Sequence, residues 1–148
     1  MRINKIYLFL ILIFFSSCTF YTSSMKVTPE DGNVAKDFKS FQGTLLIIEN
    51  RDFADNALNR IIEKRFKNNY KGEYEVISEE VLKSSKSYQD KKKNRYVIQL
   101  QVGNKTASTA RFKMLDRKDN SEYFTKYYAS WTEAINKYSA ALEKLRNE

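Results

Sequence analysis

The sequence predicts an α+β or α/β domain, a single mixed β-sheet in the order β-α-β-α-β-β-β-α with helices packed on it. Three observations carry this prediction. A short apolar run, residues 44–49 (TLLIIE), precedes a helix-periodic stretch and a second extended run, the order that joins two parallel strands through a crossover. Three alternating segments then follow with turn residues between them, as in an antiparallel meander. The chain closes on a capped amphipathic helix.

Each element has its own reason. Residues 44–49 are apolar throughout and lie between Gly43 and Asn50, as suits a strand buried on both faces. Over residues 53–70, Ala54, Ala57, Leu58, Ile61, Ile62, Phe66 and Tyr70 recur at helical spacing. Asp52 is placed to cap that helix, Asp55 to meet its dipole, and Lys71-Gly72 to end it. Residues 73–77 (EYEVI) alternate as a strand, and Ser78 caps a short helix over 79–84 with Val81 and Leu82 turned inward. Residues 85–95 form a polar, basic loop. Residues 96–102, 109–116 and 122–128 are the three meander strands, and DRKDNS (116–121) is the turn between the last two. Ser130-Trp131-Thr132-Glu133 is a capping box, followed by a stripe of Trp131, Ala134, Ile135, Tyr138, Ala141, Leu142 and Leu145.

Composition excludes several chemistries. The 148 residues contain no His, one Cys, one Pro and four Gly, and carry a formal charge of +8. Without His the commonest general base and most catalytic zinc sites are gone. A lone Cys forms no internal disulfide or Cys-x-x-Cys pair, and four scattered glycines make no phosphate loop. No glycine-flanked serine elbow is present. Asp116, Asp119 and Glu122 gather near a hairpin, but at spacing unlike a calcium loop, and Asp and Asn favour turns for local reasons. No enzyme activity, metal or cofactor is expected.

The amino terminus reads as an address. Arg2 and Lys5 precede an apolar run of ten, Ile6 to Phe15, and then Ser16, Ser17 and Cys18. This is the three-part layout of a secretory signal, and the run falls short of the roughly 20 apolar residues of a spanning helix. Small residues directly before the Cys resemble the signal of bacterial lipoproteins. That resemblance implies cleavage after residue 17, acylation (palmitate included) of Cys18 and attachment to a membrane through the lipid. Thr19, in place of the Asp linked to inner-membrane retention, implies the periplasmic side of the outer membrane. An ordinary signal with an incidental Cys and an uncleaved anchor are the other readings. Removing residues 1–17 leaves 131 residues with 24 basic and 18 acidic side chains. Residues 18–40, rich in Ser, Thr and charge, read as the lipidated Cys and a flexible tether, and 41–148 as one periplasmic domain.

Two surfaces are candidates for binding. In the basic loop, Lys91, Lys92, Lys93 and Arg95 accompany Tyr88, a set suited to phosphate, a polyanionic glycan or an acidic partner. The alternative is a solvated loop whose lysines guard a sheet edge. In the last strand, alternation sends Tyr123 and Tyr127 to one face and Phe124 and Tyr128 to the other, for burial or for a partner. Nucleic acid is not an expected partner for a secreted lipoprotein.

Residues 44–78 resemble the opening strand–helix–strand of the amino-terminal domain of TolB and of CsgG- or LpoB-type envelope lipoproteins. Residues 110–145 are similar to their later hairpin and last helix, with Asn120 where a turn glycine is usual. The resemblance implies a non-enzymatic cell-envelope protein that binds other envelope proteins as an adaptor or assembly factor. A glycan-, lipid- or peptidoglycan-fragment-binding module and an oligomeric export component are the alternatives.

Overall fold

The computed structural model describes residues 26–51, 56–104 and 108–148. Five strands form one mixed sheet: β1 (Leu45–Ile48), β2 (Tyr74–Ile77), β3 (Tyr96–Asn104), β4 (Thr109–Asp116) and β5 (Ser121–Phe124). Three α-helices accompany it: α1 (Ala57–Asn69), α2 (Glu79–Ser84) and α3 (Trp131–Arg146). The architecture is the α+β fold with a single mixed sheet that the sequence predicts. Strand order is β2-β1-β3-β4-β5, so β3 is central. β1 pairs in parallel with both β2 and β3, while β3, β4 and β5 form the antiparallel meander.

The burial pattern explains the pairing. β1 is buried along its whole length because it lies between two strands and under both layers. β4 alternates strictly, with Ala110, Phe112 and Met114 buried on the face that meets α1 and α3. The large core lies on that face. Leu45 and Ile47 meet Leu58, Ile62 and Phe66 of α1, and Ala134, Ile135, Tyr138 and Leu142 of α3 close it. Phe112 and Tyr138 stack with ring centroids 4.1 Å apart. The opposite face carries a small cluster of Leu46, Ile48, Ile77 and Val97, covered by Leu82 of α2 and by Tyr88. Over β3–β5 that second face is largely uncovered.

Caps follow the sequence in part. Ser78 Oγ accepts from Val81 N–H at the start of α2, and Ser130 Oγ from Glu133 N–H at the start of α3. Glu133 itself pairs with Lys137, so only half of the capping box forms. Helix α1 begins later than the periodicity suggests, after Asn56 in a left-handed conformation (φ 54°). The proposed cap Asp52 and first-turn Asp55 lie outside the described residues. Val81 is 41% exposed rather than inward, because a helix of six residues turns only one stripe, with Leu82, onto the sheet.

Two larger corrections concern the ends of the domain. The composition of residues 18–40 suggests a tether, with only Phe38 and Phe41 near its end packing onto the domain, yet Val27, Val34 and Ala35 are also buried in the main core. Asn33 closes a turn by accepting from Thr28 N–H (2.9 Å) and donating to Lys26 C=O (3.0 Å). Phe38 and Phe41 then pack against Tyr96 at 5.3 and 4.9 Å. The packed domain therefore extends back to residue 26. At the other end, β5 stops at Phe124 instead of continuing to 128. Lys113 faces Phe124, but Ala110 faces Tyr128, one residue out of step. The extra residue is a bulge built on buried Thr125, whose Oγ1 accepts from Phe112 N–H at 2.9 Å and donates to Lys126 C=O at 3.0 Å.

Candidate functional site

The bulge reassigns the tyrosines. Tyr123 and Tyr128 pack toward the main core, whereas Tyr127 joins Phe124 on the uncovered face. The pairing of Tyr123 with Tyr127 on one face is therefore overturned, since one inserted residue inverts the alternation beyond it. Arg111 projects from β4 between the two rings, its guanidinium carbon 4.6 Å from Phe124 and 5.0 Å from Tyr127. Its Nε donates to Gln101 Oε1 at 2.8 Å, which fixes the plane of the fork. Tyr127 lies over Gly103, where an added Cβ would stand 2.5 Å from the ring, so this approach needs a glycine. Tyr127 is 51% exposed. A cation held between aromatic faces is attracted by both.

This stack borders a polar cleft of about 400 Å³ at the carboxyl ends of β1 and β3, lined by Glu49, Arg51, Glu79, Gln99, Gln101 and Tyr127. β1 and β3 are parallel neighbours not joined consecutively, which is where open α/β sheets leave a crevice. Two buried amides set its floor. Asn59 Oδ1 accepts from Asn50 N–H (2.8 Å), and Asn50 Nδ2 donates to Leu100 C=O (3.2 Å), tying β1, α1 and β3 together.

The basic loop builds a second site at the opposite end of β1. Lys91, Lys92, Lys93 and Arg95 line a cavity of about 710 Å³ with Lys118, Ser40 and Gln42. The loop is held at many points. Asp90 Oδ1 accepts from Lys92 N–H (2.9 Å) and Lys93 N–H (3.2 Å), making a tight turn that presents consecutive lysines. Those two bonds hold the Asp90 carboxyl below its usual range. Thr44 N–H donates to Lys93 C=O at 2.9 Å, and a Cβ on Gly43 would stand 2.0 Å from that oxygen. From below, Arg117 Nη1 donates to Tyr88 C=O (2.7 Å) and Asn94 C=O (3.0 Å). The lysine turn leads into β3, the central strand, so it guards no sheet edge.

The candidate residues thus divide. Lys91, Lys92 and Lys93 come together, exposed, and none of the ion pairs among the described residues engages them or Lys118. Arg95 is beside them but committed inward. Its Nε and Nη2 donate to Asp116 at 2.8 and 2.6 Å, Nη2 also reaches Asp37 at 3.0 Å, and its plane lies 4.9 Å from the Tyr96 centroid. Hydrogen bonding to Asp116 raises its pKa above the ordinary guanidinium value against the opposing effect of burial. Tyr88 leaves the cluster: its ring packs on the small apolar cluster of the second sheet face and its hydroxyl donates to Glu75 Oε2 at 2.6 Å, which raises the phenol pKa. Cys18 lies outside the described residues.

Lys118 and Arg111 escape a reading of the sequence. Lys118 sits in a turn-rich hexapeptide remote from the loop it joins, and Arg111 reads only as the polar partner in an alternating strand. The hairpin carboxylates have separate tasks: Asp116 holds Arg95, Asp119 accepts from Ser121 N–H, and Glu122 pairs with Lys113. Among the described residues no three His, Cys, Asp or Glu side chains are placed to hold a metal.

No protein-family model matches this chain, and no curated protein sequence does. Solved structures give low-identity overlays. PelC from Paraburkholderia phytofirmans, a dodecamer, overlays 69% of this chain and 88% of its own at 12% identity and a TM-score of 0.41. A single-substitution variant of that PelC, also a dodecamer, has the same coverage at 11% identity and a TM-score of 0.39. TolB from Acinetobacter baumannii overlays 70% of this chain at 13% identity and a TM-score of 0.39, and this chain spans 27% of TolB.

Proposed function

We propose that this protein is a non-catalytic, lipid-anchored adaptor of the bacterial envelope that binds a partner protein through the uncovered face of its sheet. The reading places it on the periplasmic side of the outer membrane, from the signal pattern of residues 1–18 and from Thr19. The observation that carries partner binding is the Arg111 stack between Phe124 and Tyr127. It joins the residue types enriched at interface centres, Arg and aromatics, on a face that no helix among the described residues covers. Its fork is fixed by Gln101 before any partner arrives, so little side-chain entropy is lost on binding.

The test is photo-crosslinking in living cells from position 127, comparing the native chain with Cys18→Ser and Arg111→Ala. One envelope protein captured by the anchored form, and lost in both variants, supports the reading. Crosslinks only to a second copy of the chain point to self-assembly. Recovery of no protein, with binding of isolated cell-wall fragments, gives the ligand-binding alternative.

A further inference from the structure

The lysine pocket and the Arg111 stack lie at opposite ends of the sheet. β1 starts beside Lys93 and finishes at the cleft that Tyr127 borders. Lys26, eight residues after Cys18, lies at the lysine end as well. A second cavity, of about 1020 Å³, is lined by Lys26, Lys36, Lys39 and Lys144 and by Glu30, Asp37 and Glu148, the last paired with Lys144, and Asp37 lines the Lys91–Lys93 pocket as well. Basic side chains from four separate segments thus share one flank: residue 26, residues 36–39, residues 91–93 and residue 118. Lys36 and Lys39 belong to a short 3-10 turn, Lys36–Ser40, whose Phe38 is anchored in the core.

Chain length then sets where this flank can go. Eight residue steps separate Cys18 from Lys26, and a fully extended chain covers at most about 28 Å in that distance. If the acylated Cys18 of the proposed function holds the chain in a bilayer, the flank that receives the chain stays within that span of the headgroups. The cleft and Tyr127, a strand's length further on, point away.

We propose that the pocket formed by Lys91, Lys92, Lys93 and Lys118 takes the phosphate of an anionic phospholipid headgroup in the leaflet that carries the anchor. The chemistry suits a phosphodiester. Exposed lysines on a preformed turn line an open cavity whose neutral wall, Ser40 and Gln42, has hydrogen-bonding groups and whose carboxylate, Asp37, is engaged by Arg95. Docking by this end orients the domain, with the Arg111 face presented away from the membrane. This inference rests on the anchored-adaptor reading.

Lysine footprinting on the intact lipidated protein tests it without a substitution. The protein is reconstituted in vesicles of phosphatidylethanolamine with phosphatidylglycerol, or with phosphatidylcholine in its place, and treated with a water-soluble amine reagent. Each basic side chain at an anionic surface strengthens docking about fivefold, so four together strengthen it by roughly two orders of magnitude or more, and modification of the pocket lysines slows at least about tenfold in phosphatidylglycerol. Exposed Lys64 and Lys67 of α1 serve as internal references whose rates stay the same. Raised salt abolishes the protection through screening. Equal modification in both vesicle types overturns the proposal. Protection by inorganic phosphate in phosphatidylcholine vesicles, without protection by phosphatidylglycerol, also overturns it and makes the ligand a soluble phosphate. The same mass spectra read Cys18. An unacylated Cys18 removes the anchored-adaptor reading, whereas an acylated chain with unprotected lysines removes only the docking.

Discussion

Replacing Asp116 by Asn should unlock the wall of the lysine pocket and cost about 2–3 kcal/mol. The Asp116 side chain is 2% exposed and receives three donors: Arg95 Nε at 2.8 Å, Arg95 Nη2 at 2.6 Å and Lys118 N–H at 3.0 Å. Removing one partner of a buried pair costs about 3–5 kcal/mol, because the other charge is stranded. Here the figure is reduced, since the Arg95 side chain is 20% exposed and keeps Asp37. For a domain of this size that is a fall of about 10 °C in melting temperature. Thermal unfolding of the detergent-solubilised protein, followed by circular dichroism, measures it. Asp37→Asn is the control. Asp37 is 56% exposed, and its bond to Arg95 should be worth under about 1 kcal/mol. If Asp116→Asn melts within a degree or two of the native protein, or if Asp37→Asn costs as much, Arg95 is not held by Asp116 as described. It would then be available to a ligand alongside the lysines.

Other substitutions probe other parts of the structure. Tyr138 is buried and stacked on Phe112, and its hydroxyl has no hydrogen-bond partner among the described residues, so Tyr138→Phe should raise stability by about 1 kcal/mol in a denaturant melt. Gly43→Ala places a Cβ against Lys93 C=O and should cost about 2 kcal/mol while making the amides of residues 91–94 exchange faster with deuterium. Burial alone would raise the pKa of Glu143, but donors from Arg146, Lys71 N–H and Asn147 outweigh it and bring the carboxyl from its ordinary 4.5 down to about 2. A lowered folded-state pKa contributes stability above pH 4.5 that is lost as pH falls toward 2. Glu143→Gln should therefore cost about 1–2 kcal/mol at neutral pH, and the gap to the native protein should close across that acid range.

What the sequence makes legible is what repeats with a period. The alternation of residues 96–102 and 109–116 and the stripe of α3 put Ile98, Phe112 and Tyr138 in the core, and they are there. The central position of β3 is not legible, because strand order depends on which crossover passes which neighbour and leaves no local pattern. Residues 26–40 hide their burial for a related reason. Val27, Val34 and Ala35 are placed by a turn that leads into a 3-10 segment, which imposes no recurring spacing. The error at Tyr127 has a single cause, the extra residue at Thr125, a polar side chain that looks like any other until its hydroxyl takes an N–H from the neighbouring strand. The lysine cluster is half legible. Lys91–Lys93 are consecutive in the chain, but Lys118 arrives from another turn, and the withdrawal of Arg95 and Tyr88 depends on Asp116 and Glu75, which lie 21 and 13 residues away from them.

The order of strands also governs when the domain can close. β1 needs β2 on one side and β3, some fifty residues later, on the other, and α1, whose apolar stripe meets β1, gains its lateral cover only when α3 packs beside it through Asn69, Asn136 and Ser139. A chain emerging amino terminus first therefore holds no early subset with a sealed core, and its pairings of long sequence separation form late. Until the sixteen residues of α3, Trp131–Arg146, are in place, the main core stays open on one side, and the domain's closure waits on that helix.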